Sequence, residues 1–193
     1  MISHKTILVS CLLAGTLLFT TAAFAEDGKG EVAGFGGGIA MTGGAGTHAL
    51  VGGSAGVRIV THLRLFGEFT YSQLGSYSAS EEGVSASVKD KLYGFGGGVD
   101  YSFGSSKRLV PYFVAAVGAG HESLGVSASA GGATASENLA TSNSVYLGVG
   151  GGVRFYAGDN WGIKPEVRYQ RYSGSNGGSS AVFTVGIFYQ FGQ

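Results

Sequence analysis

The chain has 193 residues, of which 37 are glycine and only 12% are charged, and its formal net charge is zero. A typical soluble domain carries about 25% charged residues, and a neutral chain of this kind gives no basis for binding nucleic acid. After the first 25 residues no apolar run is long enough for a transmembrane helix, which excludes a helical membrane protein.

Residues 1–25 are predicted to be a secretory signal peptide. A basic start precedes an apolar run over 7–19, and a small-x-small cleavage site ends at Ala25. We interpret Cys11, the one cysteine of the chain, as part of the apolar run and not as a lipid-anchor residue. The mature domain is then 26–193, which contains no cysteine and therefore no disulfide.

Eight segments of the mature chain alternate between apolar and polar or small residues, the period of two that is typical of β-strands. In chain order they cover about 31–41, 48–60, 63–73, 91–103, 109–120, 145–156, 161–171 and 181–191. The apolar residues fall on odd positions throughout, as Ala33, Phe35 and Ile39 do in the first segment. Each segment is at least as long as the ~9–11 residues that a tilted transmembrane strand needs.

A glycine-rich motif begins at Gly34, Gly94 and Gly148, in the first, fourth and sixth segments. It lacks the last glycine of a dinucleotide-binding fingerprint, and no helical pattern follows it. We therefore interpret these glycines as sites of curvature or close approach within strands.

The connections between the segments alternate in length. The short ones are 61–62, 104–108 and 157–160, and the longer ones are 42–47, 74–90, 121–144 and 172–180. Short periplasmic turns and longer extracellular loops are typical of outer-membrane barrels. The predicted fold class is all-β, an eight-stranded antiparallel up-and-down transmembrane β-barrel. We expect it in the outer membrane of a Gram-negative-type bacterium, with both termini periplasmic.

The apolar face is predicted to contact lipid and the polar face to line the lumen, because an eight-stranded barrel is too narrow to enclose so many large side chains. The predicted lumen charge network consists of Arg58, Arg64, Glu68, Asp100, Arg154, Lys164, Glu166 and Arg168. Buried charges must pair, and we expect Glu166 to pair with Arg154 and Arg168. Glu68, Asp100 and Glu166 are the inward acids, so the five basic residues leave an excess of positive charge that predicts water or an anion inside.

Aromatic side chains fall near both ends of the predicted lipid face, where amphipathic rings favour the headgroup region. These girdle residues are Tyr71, Tyr93, Tyr101, Phe103, Phe155, Trp161, Tyr169, Phe183, Tyr189 and Phe191. Pro165 lies inside a strand, and since proline cannot donate to a ladder we expect a local bulge there.

Over about 31–193 the chain resembles the small OmpA-like and OmpX-like eight-stranded outer-membrane barrels. The resemblance is carried by the alternation, the loop lengths, the segment Trp161-Gly-Ile-Lys-Pro-Glu-Val-Arg-Tyr-Gln and the strand Val185-Gly-Ile-Phe-Tyr-Gln-Phe. It implies that the barrel-assembly machinery reads the last strand. Members of the family end on an aromatic residue, whereas here Gly192-Gln193 follow Phe191.

The fold does not set the function. We expect a monomeric, non-enzymatic protein, structural in the envelope and surrounded by outer-membrane lipids that include lipopolysaccharide. Its Ser/Ala/Gly-rich connections 74–90 and 121–144 are available for adhesion or a surface ligand. Strands three and four can run on as a raised hairpin that binds a partner strand, and a hydrated cap is the other interpretation.

Two further functions stay open. One is a narrow porin-like channel for small solutes, if the polar lumen conducts. The other is a lipid A-modifying enzyme, because His121, Ser123 and Glu137 are similar to the His-x-Ser pair and carboxylate of lipid A deacylases. No two histidines have metal-ligand spacing, so we expect neither a metal nor a cofactor.

Overall fold

The computed structural model describes residues 30–42, 46–81, 84–103, 108–130, 133–173 and 178–192, and the predicted signal peptide, 1–25, lies outside them. The strands are β1 (Gly30–Met41), β2 (Thr47–Val60), β3 (Leu63–Glu81), β4 (Val84–Ser102), β5 (Leu109–Ala130), β6 (Ala133–Tyr156), β7 (Trp161–Ser173) and β8 (Ser179–Phe191). In the part of the chain that is described, there is no helix long and apolar enough to cross a membrane.

The eight strands form one closed antiparallel barrel. Each strand pairs with the next in sequence, and β8 pairs with β1, so that the sheet has no edge within the barrel. The predicted fold class is confirmed. Two turns, 61–62 between β2 and β3 and 157–160 between β6 and β7, mark one end of the barrel. We call this the turn end, and the opposite end the sheet end.

The strands differ in length at the sheet end. Pairing of β2 with β3 stops at Leu50 and Ser72, and pairing of β6 with β7 stops at Val145 and Ser173. These last pairs define the rim of the barrel. Beyond the rim, β3, β4, β5 and β6 continue to pair with one another, with no break between β4 and β5.

The chain therefore carries a four-stranded extension of the barrel wall, which we call the projecting sheet. It consists of residues 74–81, 84–91, 122–130 and 133–144. The prediction of loops over 74–90 and 121–144 is wrong, since most of both segments is paired strand. The raised hairpin considered for strands three and four is present, and strands five and six form a second one beside it.

From β2 to β8 the apolar odd-numbered residues face outward, as the alternation predicts. Val51, Val149 and Ile187 are 55%, 51% and 65% exposed, while their even-numbered neighbours point into the barrel. Some even positions also carry large side chains, among them Phe66 and Phe188, which are 6% and 0% exposed. The lumen is therefore more tightly filled than a face of glycines and charges would be.

The orientation predicted for β1 is wrong. Ala33 and Ile39 are buried inside the barrel, at 9% and 1% exposed, and Val32 is exposed on the outside. Ile39 packs in a cluster at the sheet end of the lumen that comprises Ile39, Leu50, Leu92 and Val182. The ring of Phe35 occupies the space in which a side chain at Gly52 would lie. A glycine on the neighbouring strand thus makes room for a large residue of β1.

Two tyrosines explain three of the inward glycines of β4, β5 and β6. A Cβ atom at Gly96 or Gly118 would collide with the ring and hydroxyl group of Tyr146. A Cβ atom at Gly152 would collide with those of Tyr112 in the same way. The glycine-rich motif of β4 and β6 is therefore a packing requirement, because each tyrosine crosses a lumen that a second side chain would block.

The bulge predicted at Pro165 is absent. The pairs Gly152–Glu166 and Phe155–Ile163 have the same register on either side of it, so no residue is inserted. The ladder between β6 and β7 omits the intervening positions, and this accommodates the missing proline donor. Irregularities lie instead between Arg58 and Val60, Gln73 and Gly75, and Leu124 and Gly125.

Val149→Arg tests the outward face. We expect the free energy of unfolding from bilayers to fall by about 2–4 kcal/mol, the penalty for a cation near the middle of the lipid layer. Gly150→Arg should prevent folding, because even its Cβ atom would overlap the carbonyl group of Val167. Unfolding midpoints in urea, with Val149→Leu as control, measure the difference. An unchanged midpoint for Val149→Arg would mean that the two faces are assigned the wrong way round.

Candidate functional site

Ion pairs fill the lumen at the turn end. Arg154 donates from Nε to Glu31 Oε2 at 3.0 Å and from Nη2 to Asp100 Oδ1 at 2.9 Å. Arg64 donates from Nε to Asp100 Oδ2 at 2.7 Å and also contacts the Glu31 carboxylate. All four side chains are buried. Two arginines from β3 and β6 thus share two carboxylates from β1 and β4.

A second group of ion pairs lies next to the first. Arg168 donates from Nε to Glu166 Oε1 and from Nη1 to Glu68 Oε1, both at 2.5 Å. The Tyr112 hydroxyl group donates to Glu166 Oε2 at 2.5 Å. Lys164 joins the two groups, since its Nζ lies 3.8 Å from Glu166 Oε2 and 3.9 Å from Oε1 of the carboxylate on β1. The whole arrangement is one connected network.

Glu31 is the acid that the sequence reasoning missed. The statement that Glu68, Asp100 and Glu166 are the inward acids is wrong, because the reversed orientation of β1 brings Glu31 inside, where it is 2% exposed. A signal was present in the sequence. Glu31 is the one charged residue of β1, and an acid on the lipid face of a spanning strand is unfavourable, so this residue indicates which face is inward.

The ion-paired network is electrically balanced. Its acids and bases number four each, namely Glu31, Glu68, Asp100, Glu166, Arg64, Arg154, Lys164 and Arg168. The expected excess of positive charge is thereby reduced to Arg58. This residue lies opposite Arg64 on β2 and forms no ion pair with any residue that the structure describes. The network itself needs no bound anion.

The pairing expected for Glu166 is half right. Arg168 is its partner, but Arg154 is not, because both carboxylates near Arg154 belong to other strands. Glu166 lies opposite Gly152 in the sheet. The space above that glycine is taken by Tyr112, whose hydroxyl group binds Glu166. The tyrosine therefore fills the gap through which the expected diagonal pair would have formed.

Apolar side chains close the lumen at the sheet end, where Ile39, Leu50, Leu92 and Val182 form the buried cluster. A cavity of about 30 Å³ lies between this cluster and the ion pairs. A single buried water needs roughly 10–15 Å³ of such volume, so the cavity has room for about two water molecules. The cavity is lined by apolar side chains of the cluster on one side and by members of the ion-paired network on the other.

The predicted girdle residues all lie on the outer surface of the barrel. Tyr101, Phe103, Phe155, Trp161, Tyr169, Phe183, Tyr189 and Phe191 are between 39% and 53% exposed. Tyr71 and Tyr93 are half-buried against each other, with ring centroids 5.3 Å apart. The ring of Tyr101 likewise packs on Phe103 at 5.0 Å, near the turn end.

The projecting sheet has two open edges. Residues 74–81 of β3 and 133–144 of β6 each have one neighbouring strand among the described residues and none on the other side.

At the base of the sheet Asp90 and Glu122 face the lumen side. Partial burial and the neighbouring Asp90 carboxyl group raise the pKa of Glu122.

Two of the residues that suggested an enzyme, His121 and Glu137, are not brought together by the pairing of the strands. His121 faces outward, and its Nδ1 lies 2.7 Å from Oδ1 of Asn143. The backbone of Glu137 pairs with Val126, well along the strand from His121. Base and carboxylate are therefore placed apart along the sheet. Among the described residues, no group of three or more His, Cys, Asp or Glu side chains is arranged to hold a metal ion.

The sequence matches the family model described as "Outer membrane protein beta-barrel domain" over residues 11–191. The chain belongs to this family. It is therefore an outer-membrane β-barrel protein, as the resemblance and the alternation predicted. No curated protein matches its sequence.

Solved structures of similar shape are also small outer-membrane barrels. Neisserial surface protein A is 20% identical, with a TM-score of 0.54 over 86% of this chain and 98% of that one. Ail of Yersinia pestis is 16% identical, with a TM-score of 0.51 over 86% of this chain and 99% of that one. Ail in complex with the heparin analogue sucrose octasulfate is 14% identical, with a TM-score of 0.52 over 85% and 98%. Such low identities show the common fold alone.

Removing one carboxylate from the network of this outer-membrane barrel should destabilise it strongly. Glu31→Gln and, separately, Glu166→Gln leave buried cations without their partner, which costs roughly 3–5 kcal/mol. Asp159→Asn, in the exposed turn between β6 and β7, is the control. Urea unfolding midpoints in bilayers provide the comparison. Midpoints that are equal in all three variants would show that the carboxylates are solvated and the network contributes no stability.

Proposed function

We propose that this outer-membrane barrel is a non-enzymatic protein that presents the projecting sheet at the cell surface for binding of partner polypeptides. The observation that carries the proposal is the sheet itself, which continues beyond the rim with two open edges. The proposed orientation places both termini and the turn end in the periplasm. Short turns at that end support it, since barrels of this class have their longer connections outside.

The two edges have little of the usual protection against strand addition. Natural sheets block exposed edges with proline, charged residues and especially lysine. Residues 74–81 and 133–144 contain no proline, lysine or arginine, and each segment carries a single charged residue, Glu81 or Glu137. A partner segment in extended conformation can therefore form main-chain hydrogen bonds with either edge, the mode known as β-augmentation. This supports the use of the sheet as a binding surface.

The charge of the sheet favours a polypeptide over a sulfated sugar. The projecting sheet contains two lysines, Lys89 and Lys91, against four acidic residues, Glu81, Asp90, Glu122 and Glu137. Ail has been solved with a heparin analogue, but such a ligand requires a basic surface. We therefore propose that the ligand is a neutral extended segment and that the protein binds it as a monomer.

Two further steps complete the proposal. The signal peptide 1–25 is cleaved after Ala25 during export. The barrel-assembly machinery then recognises the aromatic strand β8, whose outward residues Tyr189 and Phe191 remain exposed near the end of the chain. In this scheme the barrel acts as a membrane anchor, and the lumen network supplies its stability.

The closed lumen argues against the channel as the main function. We expect no discrete openings when the refolded protein is incorporated in planar bilayers, because balanced ion pairs and an apolar cluster fill the lumen. Single-channel recording is the measurement, and a large porin in the same bilayer is the positive control. Reproducible openings of the wild-type protein would overturn the closed lumen and favour a narrow channel.

Proline substitutions test the open edge of β6. Successive amide groups of a strand point to opposite sides, so Thr141→Pro and Ser142→Pro remove one donor toward β5 and one toward the open edge. The probe is a fluorescent peptide that copies the uncharged residues 123–130, with fluorescence anisotropy as the readout. Of the two variants, we expect the one whose lost amide donor faces the open edge to bind the peptide at least fivefold more weakly than the wild type. Its heat-dependent gel mobility should not change. Absence of peptide binding, or equal binding by both variants and the wild type, would contradict β-augmentation.

A further inference from the structure

The projecting sheet has one face that continues the lumen wall of the barrel. Leu92 on β4 is buried in the apolar cluster of the lumen, so Asp90 and Val88, two and four residues before it, lie on the same face. Pairing carries this face to the next strand, where Leu124 is opposite Asp90 and Val126 is opposite Val88. We call it the inner face, and the reverse side of the projecting sheet the outer face.

The inner face is mainly apolar and the outer face is mainly hydroxylic. Val88, Leu124 and Val126 are half-exposed on the inner face. Farther from the rim, the register places a row of alanines on it, at Ala79, Ala86, Ala128 and Ala135. The adjacent row of the outer face consists of serines, at Ser78, Ser87, Ser127 and Ser136. Beyond the rim the apolar side of the wall is thus the inner one, the reverse of the lipid-facing barrel.

The charged residues of the projecting sheet are separated between its two faces. The register places all four acidic residues on the inner face, at Glu81, Asp90, Glu122 and Glu137. Both lysines, Lys89 and Lys91, occupy positions of the outer face. Within 74–81, 84–91, 122–130 and 133–144, no basic residue lies on the inner face. This face therefore combines apolar positions with uncompensated negative charge.

Two of these carboxyl groups lie against each other at the base of the inner face. Asp90 and Glu122 are joined by a side-chain hydrogen bond, and partial burial together with the Asp90 carboxyl group raises the pKa of Glu122. The other oxygen of Asp90, Oδ1, is buried and has no hydrogen-bond partner among the described residues. Neighbouring carboxyl groups disfavour ionisation of each other. A cation placed beside the pair would stabilise both charges and supply the missing donor.

The size of the inner face fits one helix. Four strands spaced by about 4.8 Å and about eight residues long, at about 3.3 Å each, form a surface of about 19 Å by 26 Å, or about 500 Å². A helix is about 10–12 Å wide, whereas a standard interface between globular proteins buries about 800 Å² on each partner. The strands across the barrel axis, β1, β2, β7 and β8, end at or near the rim and leave the space above the lumen open to such a helix.

We propose that the inner face binds a cationic amphipathic helix of another polypeptide. The apolar stripe of the helix packs on the alanine, valine and leucine positions, and its basic residues lie beside the carboxyl groups. An apolar sheet face is stable when it is covered by another element, and complementary charge selects the partner and its orientation. This inference goes beyond the proposed function, because it concerns the face of the sheet and a helical, cationic partner. The open edges remain available to an extended, neutral one.

A synthetic helix tests the inner face. The probe is a fluorescent peptide of about 18 residues, the number that spans the face at 1.5 Å per residue, with leucine and alanine on one side and lysine on the other. It is titrated with the protein in phosphatidylcholine nanodiscs, empty discs serve as the blank, and anisotropy is the readout.

Two matched pairs of variants locate the binding surface. We expect Asp90→Asn to bind the probe at least threefold more weakly than the wild type, whereas Asp159→Asn, in the exposed turn at the other end of the barrel, binds it normally. Val126→Asn, on the inner face, should weaken binding at least fivefold, and Ser127→Asn, the next residue but on the outer face, should leave it unchanged. Unchanged heat-dependent mobility of all four variants confirms that they fold.

Two further probes identify what the inner face recognises. A peptide with glutamate in place of lysine, and one of the original composition in scrambled order, should both bind poorly. Equal affinity within either pair of variants, or for the ordered and the scrambled peptide, would overturn the proposal. Displacement of the probe by magnesium chloride, but not by sodium chloride of equal ionic strength, would also overturn it, in favour of a divalent-cation site. The proline variants of the β6 edge should bind this helix normally, so that failure of one proposal is distinguished from failure of the other.

Discussion

A charge inside a narrow barrel has to be paired, because the lumen contains too little water to solvate it. The structure satisfies this constraint by drawing partners from across the barrel. The network joins β1, β3, β4, β6 and β7 through ion pairs, and Gln190 adds β8 through a hydrogen bond to Glu31. The first strand closes the barrel against the last, and its single charge occupies the centre of the turn-end cluster. Closure of the sheet and neutralisation of the cluster therefore depend on each other.

The sequence predicted the strand faces correctly from β2 to β8, where large apolar residues alternate with glycine or polar residues. Val149 and Gly150 on β6 are such a pair. The period of two correctly predicts that Val149 faces outward and Gly150 faces the lumen. On β1 the face opposite Phe35 and Ile39 carries mainly glycine, so hydropathy alone indicated an outward apolar face. What decided the orientation was the packing of Phe35 over Gly52 of the neighbouring strand. Contacts of that kind join residues from different strands and leave no period in the sequence.

The projecting sheet shows a second limit of local reasoning. Segments such as 125–130, rich in serine, alanine and glycine, have the composition of a flexible connection. They are strands because each pairs with at least one partner of matching length, as β5 does with β4 and β6. The charged residues of the lumen were predicted more accurately than the projecting sheet. Arginine and glutamate at every second position of a membrane strand are unfavourable on the lipid face, so they indicate the face that lines the lumen. Glu31 was missed for the same reason as the orientation of β1.

With the proposed function, the barrel separates stability from recognition along its axis. The ion pairs and the rings of Trp161 and Tyr189 lie toward the turn end, where all eight strands take part in the closed barrel. At the other end the wall continues on one side only, between β3 and β6. The open edges of the wall lie in this extension, so a partner strand that is added there, as proposed, would lie beyond the rim and clear of the lipid-facing wall of the barrel.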